Sequence, residues 1–367
     1  MNKIKSIIMT ALFAVFLFGF SAACFFKGAD EYSLSERRFL ATMPEFNINT
    51  VLNGEFMKGF EEYSADQVPL RDELRALKAR FSFSLLRKLD NNGLYMADGH
   101  ISKLDDPENP YMMDYSANLF KKIVNMHMKD KNVKLYFSIV PDKNYFLAEK
   151  NGYPSLNYEA FIKGMRDRVD FMDYIDVLPL LSSNDYYKTD SHWKQENITD
   201  IAKHIADKMN TDVSAEYEVN TLENPFRGVY AGQLALPVKS DTIKYLTNET
   251  LKNCIVKYYD TGVPVKGDMY NMEKAFGKDP YEMFLSGSAP IITIENPNAK
   301  TEKELVLFRD SFGSSIAPLF VEGYRKITVV DVRYVLSDYV GSFVDFQDCD
   351  VLFLYSTALL NNSLAMK

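Results

Sequence analysis

The first 28 residues contain an uninterrupted apolar run that decides where the rest of the chain can fold. Lys3 and Lys5 precede residues 7–26, which carry no charge and whose only hydroxyl residues are Thr10 and Ser21. About twenty apolar residues match the thickness of a bilayer core, and positive charge before such a run keeps the amino terminus inside the cell. The sequence therefore predicts a membrane segment over residues 1–28 and an extracytoplasmic location for everything after it.

The same run has two other interpretations, and both also export the chain. One is the apolar region of a cleaved signal peptide, because the small residues Ser21, Ala22 and Ala23 stand before Cys24. The other is a lipoprotein processing site, although Ser21 occupies the position where leucine is usual. We favour an uncleaved anchor that holds the chain at the outer face of the cell membrane.

Composition excludes several classes of function. The 367 residues are enough for one large core or two smaller ones. A formal net charge of -8 without a basic stripe argues against nucleic acid as a partner, since phosphate binding requires grouped Lys and Arg. Three scattered cysteines are too few for a disulfide framework or a zinc site. The 26 Phe and 23 Tyr suit core packing and also stacking on sugar rings.

Residues 29–90 are predicted to form a helical N-terminal region. Apolar residues recur there near helical spacing, at Phe56, Phe60, Leu70, Leu74, Leu77 and Phe81. Asn91-Asn92-Gly93 then breaks the pattern, and Gly93 to Lys103 is predicted to be a turn or hairpin with Asp98-Gly99 at its tip. We therefore expect the main domain to occupy residues 91–367.

From residue 91 onward strands alternate with helices, which is typical of an α/β domain with an open parallel sheet and flanking helices. Strands are predicted at Val133–Val140, Phe171–Ile175, Leu305–Phe308, Lys326–Val332 and Val351–Tyr355. Helices are predicted around Tyr115–Lys129 and Tyr158–Val169, after Trp193, and at Ser315–Glu322. Residues 213–295 change to Gly, Pro, Tyr and Thr with short strand-like runs, and we expect a β-rich insertion or lid there.

Asp190 and His192 are candidates for a catalytic pair. The chain has four histidines, so few side chains can act as a base near neutral pH, and His192 lies on an expected loop just before an amphipathic helix. In extended backbone, side chains two residues apart project to the same side, which would bring Asp190 beside His192. A carboxylate that accepts the imidazole N–H fixes the tautomer and stabilises the charged ring, as a base beside a serine requires.

Ser311 is the candidate nucleophile. The apolar run Leu305–Phe308 followed by Arg309-Asp310-Ser311-Phe312-Gly313 is typical of a buried strand that enters a sharp turn before a helix. Such a turn exposes a hydroxyl, and we expect the first N–H groups of the helix to point toward it and stabilise an oxyanion, at about 3 kcal/mol per donor. A hydroxyl alone is weakly nucleophilic, so the assignment requires His192 to reach Ser311.

Ordinary structural roles compete with this assignment. An Asp-x-His sequence is more often a capped loop than a catalytic pair, and Asp and Ser are common in turns and at helix caps. His100 and His127 have no acidic or thiol neighbours at the spacing of metal ligands. His204 lies in a predicted helix whose residue pattern indicates a structural role. We therefore expect neither a metal site nor a cofactor.

Seven short motifs, spread over the exported chain, carry a family resemblance. They are Ser35-Glu36-Arg37-Arg38 with Pro44, the stretch from Asn53-Gly54 to Arg71, Asn92-Gly93-Leu94-Tyr95, Val140-Pro141-Asp142-Lys143, Thr189-Asp190-Ser191-His192-Trp193, Ile294-Glu295-Asn296-Pro297-Asn298 and Arg309-Asp310-Ser311-Phe312. In this order they resemble the DHHW proteins of Gram-positive bacteria, which are related to the SGNH-hydrolase-like alginate O-acetyltransferases.

The resemblance implies an SGNH-hydrolase-like α/β domain with the triad Asp190, His192 and Ser311, in which the aspartate and histidine precede the serine, the reverse of ordinary SGNH esterases. Two positions depart from the family pattern. Ser191 replaces the first histidine of the naming motif, and we expect it to face away from the Asp190–His192 side. Arg309 stands where glycine often precedes the Asp-Ser pair, and we expect it to narrow the mouth of the site or to bind an anionic group.

The resemblance favours an extracytoplasmic O-acyltransferase, by expectation an O-acetyltransferase, that modifies a cell-surface or exported polysaccharide. Ser311 would take the acyl group, His192 would accept its proton, and a sugar hydroxyl would release the acyl group. The resemblance also implies a membrane-bound O-acyltransferase as the acyl donor, and it leaves Asn296 as a candidate oxyanion donor. A carbohydrate esterase with the same triad and a non-catalytic cell-surface binding protein are the alternatives.

Overall fold

The computed structural model of the protein describes residues 2–105, 107–213 and 216–367. In chain order the helices are α1 (Asn2–Phe26), α2 (Ile48–Leu52), α3 (Glu55–Gln67), α4 (Arg71–Arg80), α5 (Pro110–His127), α6 (Asn144–Leu147), α7 (Tyr158–Arg168), α8 (Thr199–Lys208), α9 (Val229–Leu234), α10 (Glu249–Asn253), α11 (Met272–Ala275), α12 (Phe312–Ile316) and α13 (Thr357–Leu360). The strands are β1 (Tyr32–Ser33), β2 (Arg38–Phe39), β3 (Leu94–Ala97), β4 (His100–Lys103), β5 (Val133–Val140), β6 (Asp173–Tyr174), β7 (Glu218–Phe226), β8 (Asp241–Thr247), β9 (Ile255–Tyr258), β10 (Val265–Gly267), β11 (Ile291–Glu295), β12 (Glu304–Arg309), β13 (Lys326–Val330) and β14 (Cys349–Ser356).

An eight-stranded, mostly parallel sheet forms the centre of the α/β region. Its strand order is β10-β9-β11-β13-β12-β14-β5-β6. The five strands from β13 to β6 are parallel, whereas β10, β9 and β11 pair antiparallel at one side. All eight residues of β14 are buried, as expected for a parallel strand that is covered on both faces. The open, mostly parallel α/β sheet that the sequence predicts is confirmed.

Two hydrophobic clusters cover the two faces of this sheet, and successive side chains of β12 belong to them alternately. Leu305 and Leu307 belong to the cluster that contains the apolar face of α8, whereas Val306 and Phe308 belong to the cluster built with α5 and α7. Side chains of successive strand residues point to opposite faces, so a continuous apolar run supplies both clusters. Each of these buried side chains contributes about 2 kcal/mol through burial.

The structure confirms the predicted hairpin and shifts the start of one predicted helix. The hairpin is confirmed as β3 and β4, and Asp98 and Gly99 at its tip have φ of 50 and 77, the left-handed values that a tight two-residue turn needs. The helix predicted at Ser315–Glu322 begins earlier, at Phe312, and changes at Ala317 into a 3₁₀ segment. Pro318 accounts for the change, because proline has no N–H to continue an α-helical ladder.

The described part of residues 213–295 contains five strands. The antiparallel pair β7 and β8 forms a small separate sheet, while β9, β10 and β11 extend the main sheet beyond β13. The strands β9, β10 and β11 of this stretch therefore belong to the central sheet.

The chain divides into two compact units, Met1–Asn92 with Ala231–Val238, and Gly93–Tyr230 with Lys239–Lys367. In the first, which we call the N-terminal unit, residues Lys3–Phe26 form a helix with a mean hydropathy of 2.3 and no buried residues. Its length and composition allow it to cross a membrane, and they suit either a signal anchor or a signal peptide. Within the described ranges no other helix meets these criteria.

The rest of the N-terminal unit is organised around ion pairs. Asp66 accepts hydrogen bonds from Arg38 and Arg71, and Glu36 pairs with Arg71 and Arg75 at 2.5 and 3.3 Å. The predicted helices are present as α2, α3 and α4, but many of their large apolar side chains are exposed.

Candidate active site

The candidate serine lies at the carboxyl edge of the parallel strands. Strand β12 ends at Arg309, Asp310 and Ser311 form the turn, and α12 begins at Phe312. In open α/β sheets ligands bind in the crevice outside the carboxyl ends of the strands, so Ser311 has the position expected of a functional group.

Asp310 fixes the turn that carries Ser311. Its Oδ1 accepts the Phe312 N–H at 3.0 Å, its Oδ2 accepts the Ser356 N–H at the end of β14 at 2.8 Å, and its carbonyl accepts the Gly313 N–H at 3.0 Å. The expectation that the first helical N–H groups are available for an oxyanion is therefore wrong for Phe312 and Gly313, because Asp310 already occupies both.

The loop of His192 is closed at its base by a β-bridge. Tyr186 bridges Trp193, and the Tyr187 N–H donates to the His192 carbonyl at 3.0 Å. Residues 188–192 between them are bends and not extended strand. The predicted proximity of Asp190 and His192 is found, but a bent loop produces it and not the alternation of a strand.

The three candidate residues form a continuous chain of hydrogen bonds. His192 Nε2 lies 2.7 Å from Ser311 Oγ, and His192 Nδ1 lies 2.6 Å from Asp190 Oδ1. Asp190 is fully buried, whereas 13% of the His192 side chain is exposed. A shielded carboxylate behind a partly accessible imidazole is the arrangement that removes a proton from a serine hydroxyl.

Main-chain groups hold the Asp190 carboxylate in place. Its Oδ1 also accepts the His192 N–H at 3.2 Å, and its Oδ2 accepts the Val229 N–H at 2.9 Å. A Cβ on Gly228 would lie 2.4 Å from the Asp190 Cβ and from the Thr189 carbonyl oxygen, so only glycine allows this close approach. Asp241 fixes the preceding residue, accepting from Thr189 N and Oγ1 at 2.7 and 2.6 Å.

Two aromatic residues position the imidazole relative to the serine helix. Tyr281 stacks on the His192 ring, with centroids 3.8 Å apart and planes 10° apart, and its hydroxyl lies 2.9 Å from Ser315 Oγ. The Trp193 indole N–H donates to the Phe312 carbonyl at 3.1 Å and to Ser315 Oγ at 2.8 Å. Because Ser315 belongs to α12, these contacts join the histidine loop to the helix that follows Ser311.

Lys143 is a buried ammonium group beneath the same loop. It follows β5, is 1% exposed, and its Nζ donates to the carbonyls of Tyr187 and Lys188 at 2.9 and 3.3 Å. Burial lowers the pKa of Lys143 to about 7, and the charge of Asp190 opposes that shift. Lys143 thus supports the backbone that leads into Thr189 and Asp190.

The structure corrects the expectations for Arg309 and Ser191. Arg309 is fully buried, pairs with Asp331 at 3.0 Å and donates to the Gly287 carbonyl at 3.0 Å, so it neither lines the mouth nor is available to an anionic ligand. Ser191 does not face away from the pair, because its Oγ lies 3.5 Å from Asp190 Oδ1 and 3.4 Å from His192 Nδ1.

Asn296 lies at the opposite edge of the sheet from Ser311. It follows β11, which runs antiparallel, so that Glu295 pairs with Lys326 at the start of β13. Its amide donates to the Val321 carbonyl and its Oδ1 accepts the Asn298 N–H. The expectation that Asn296 is an oxyanion donor is therefore wrong, since the direction of β11 carries it away from the carboxyl edge.

Several residues that shape the site carry no functional signal in the sequence. Gly228, Val229 and Tyr281 lie in the strand-rich stretch 213–295, where no periodicity or motif points to chemistry. Lys143 is the exception, because it lies in a short motif directly after a predicted buried strand, a position from which a side chain reaches the carboxyl edge.

In sequence comparisons no family model and no curated protein matches the chain. Solved structures do match its fold. A DHHW family protein from Eubacterium siraeum has 22% identity and a TM-score of 0.60, covering 75% of this chain and 94% of its own. Bacillus cereus PatB1, solved with a sulfonyl adduct, has 17% identity and a TM-score of 0.56, covering 73% and 94%. The O-acetyltransferase domain of Pseudomonas putida AlgJ matches at 11% identity and a TM-score of 0.44, covering 73% and 92%.

The fold of a DHHW family protein is thus shared over three quarters of the chain. This similarity extends the motif resemblance found in the sequence to the arrangement of the sheet and helices.

Proposed function

We propose that this chain is a serine-dependent O-acyltransferase that transfers an acyl group, specifically acetyl, to a hydroxyl of a cell-surface or exported polysaccharide. The observation that carries the proposal is the continuous hydrogen-bond chain from Asp190 through His192 to Ser311 at the carboxyl edge of the sheet. The motif resemblance to DHHW proteins favours transfer to a sugar over transfer to water.

In the first half-reaction Ser311 Oγ attacks the carbonyl carbon of the acyl donor while His192 Nε2 takes the hydroxyl proton. Asp190 stabilises the resulting imidazolium and holds its tautomer. When the tetrahedral intermediate collapses, the bond to the leaving group breaks and His192 returns the proton to that group. The product is an acyl ester on Ser311.

The second half-reaction is the same chemistry with a sugar hydroxyl as the nucleophile. His192 takes its proton, the hydroxyl oxygen attacks the ester carbonyl, and the Ser311 oxygen leaves with the proton from His192. The stacking of Tyr281 on the imidazole keeps the ring in the plane that serves both steps. Water in place of the sugar would give a carbohydrate esterase with an unchanged triad.

Reaction with sulfonyl reagents is a further expectation. PatB1, whose fold is similar, is known with a sulfonyl adduct. An activated serine is the nucleophile with which sulfonyl fluorides react, so we expect such a reagent to label Ser311. Labelling of another serine, or undiminished labelling of Ser311→Ala, would contradict the assignment.

The location of the reaction follows from α1. Lys3 and Lys5 lie in the first turns of α1, before its uncharged apolar run, so we place the amino terminus in the cytoplasm and the α/β unit outside, with a membrane-bound O-acyltransferase as the source of acyl groups. Protease added to intact cells should digest the α/β unit. Its protection until the membrane is broken would contradict this topology.

The test of the function uses the purified full chain and an activated acetyl ester, with and without candidate oligosaccharides. Acetylated sugar should appear only with the oligosaccharide and should be absent for Ser311→Ala. Free acetate that is independent of the oligosaccharide would identify an esterase. Neither product with any acceptor would favour a non-catalytic binding protein.

A further inference from the structure

A stripe of apolar side chains is exposed along α4 and the π-helical segment Phe81–Leu85 that continues it. Its members, which we call the apolar stripe, are Leu74, Leu77, Phe81 and Leu85 on these helical segments and Leu86 and Leu89 directly after them. Leu77 is 63% exposed and Leu85 is 66% exposed. Several large apolar side chains exposed over one short segment are the kind of surface that marks an interaction site.

The stripe is not the consequence of a loosely attached helix. The opposite face of the same helix is fixed within the N-terminal unit, where Ala79 and Ser82 are buried. Arg75 on that face pairs with Glu36 and donates to the carbonyls of Gly232 and Gln233 at 3.0 and 3.2 Å. The helix therefore has one anchored polar face and one exposed apolar face.

Basic residues outnumber acidic residues beside the stripe. Residues 74–89 contain Arg75, Lys78, Arg80, Arg87 and Lys88 and no acidic residue, whereas Asp72 and Glu73 precede this segment and Asp90 follows it. Lys78 and Arg80 lie on either side of the stripe by helical position, and both are exposed, as are Arg87 and Lys88. An apolar face flanked by Lys and Arg is the pattern of a helix that lies in a membrane interface.

We propose that residues 74–89 lie on the membrane surface at which α1 ends, with the apolar stripe in the acyl-chain boundary and the basic residues among anionic phospholipid headgroups. Helix α1 belongs to the same compact unit, so an inserted α1 keeps the stripe at high effective concentration near one leaflet. Anionic headgroups attract each nearby Lys or Arg, and the apolar side chains are removed from water.

A second copy of the chain fits this surface less well. Contact between two copies through the same patch would bring Lys78, Arg80, Arg87 and Lys88 of one against those of the other, and like charges repel. An anionic leaflet complements both the apolar and the basic parts of the surface.

The experiment places a fluorescent probe on the stripe in the full chain reconstituted into vesicles. The free cysteines are first removed as Cys24→Ser, Cys254→Ser and Cys349→Ala. Leu77→Cys or Leu85→Cys is then labelled with a nitrobenzoxadiazole dye, and quenching by nitroxide-labelled phosphatidylcholine is measured with and without phosphatidylglycerol. Val219→Cys, an exposed apolar position of the α/β unit, reports the quenching that tethering alone produces.

Probes at Leu77 and Leu85 should be quenched more than the probe at Val219, and more strongly when phosphatidylglycerol is present. Replacing Lys78, Arg80, Arg87 and Lys88 together by glutamine should remove most of the dependence on phosphatidylglycerol. Quenching no greater than at Val219 would overturn the proposal. The probe could instead be shielded from water without being quenched by the nitroxide lipid. If that shielding increased with the density of protein in the vesicles, a second copy of the chain would be what covers the stripe.

Discussion

Asp66 in the N-terminal unit and Asp190 in the α/β unit are both buried carboxylates, but their side-chain hydrogen-bond donors differ in kind. The two terminal guanidinium nitrogens of Arg38 donate to Asp66, at 2.8 and 2.6 Å, Arg71 adds a bond at 3.1 Å, and the Ala41 N–H adds one at 2.9 Å. Asp190 accepts from the His192 imidazole and from the backbone N–H groups of His192 and Val229.

The difference separates a structural ion pair from a site that can move a proton. A guanidinium keeps its protons throughout the physiological range, so the Asp66 cluster has fixed charge and acts on stability alone. The ring of His192, in contrast, is hydrogen-bonded to the Ser311 hydroxyl on its other side, where an imidazole nitrogen can accept the hydroxyl proton. We therefore expect changes at Asp190 to alter turnover and changes at Asp66 to alter stability.

The largest effect is expected for Ser311→Ala. Loss of the nucleophile should lower kcat by about 10⁶-fold, as for other serine triads. Ser314→Ala is the matched control, because Ser314 lies in the same helix and its buried hydroxyl has no hydrogen-bond partner among the described residues. Steady-state acetyl transfer measures both variants. Comparable losses in the two would show that disruption of α12, and not loss of the nucleophile, explains the result.

The second prediction tests the comparison directly through a matched pair of substitutions. Asp190→Asn should lower kcat by about 10⁴-fold while the protein stays folded, because the amide selects the wrong imidazole tautomer. Asp66→Asn should keep the kcat of the folded protein and lower the free energy of unfolding by about 2 kcal/mol, because charged hydrogen bonds are lost. Near-normal turnover of folded Asp190→Asn, with His192→Ala inactive, would reduce the site to a Ser-His dyad.

The third prediction concerns Asp331, a carboxylate of the α/β unit that, like Asp66, is paired with arginines. Asp331 pairs with Arg309 at 3.0 Å and with Arg333 at 2.7 Å, and it is fully buried together with Arg309. Asp331→Asn should cost about 3–5 kcal/mol of unfolding free energy, because it leaves buried positive charge unpaired. Asp167→Asn, which breaks the exposed pair with Lys163, should cost less than about 0.5 kcal/mol. Urea unfolding followed by the fluorescence of Trp193 measures both, and equal costs would contradict the distinction.

The smallest effects concern pH, and their signs are opposite in the two units. Hydrogen bonding from Arg38 lowers the pKa of Asp66 to about 2, so its contribution to stability is present above the ordinary value of 3.8 and is lost as pH falls toward 2. Burial raises the pKa of Asp142, at the end of β5, to about 6. The contribution of Asp142 is present below 3.8 and is lost as pH rises through 6.

Two asparagine variants separate these contributions. Asp142→Asn should flatten the pH dependence of stability between 3.8 and 6 in urea unfolding followed by Trp193 fluorescence. Asp66→Asn should flatten it below 3.8 in pulse proteolysis of the N-terminal unit, with cleavage sites mapped by mass spectrometry. An unchanged profile in either variant would contradict the corresponding pKa shift.

The sequence is sufficient to predict the parts of the fold that depend on local pattern. Strands such as β12 and β14 contain continuous apolar runs because both of their faces are buried, and the candidate Ser311 lies in a short motif at the end of β12. The direction of β11 is not encoded locally, so the motif around Asn296 is predicted at the wrong edge of the sheet.

The partners of buried side chains are equally invisible in the sequence. Arg309 is predicted at the mouth of the site because nothing in the sequence shows that Asp331, which follows the neighbouring strand β13, neutralises it. Tyr281 and Val229 reach the candidate residues only through tertiary packing, which brings residues from a patternless stretch against His192 and Asp190.

The most direct test of the account is the mass of the protein after a brief reaction with an activated acetyl ester and no acceptor. We predict that the mass increases by one acetyl group and that this group maps to the peptide that contains Ser311. The increase should be absent in Ser311→Ala, and the acetyl group should be lost when the acceptor oligosaccharide is added. An acetyl group on any other residue, or acetyl transfer to sugar by Ser311→Ala, would contradict the acyl-serine mechanism.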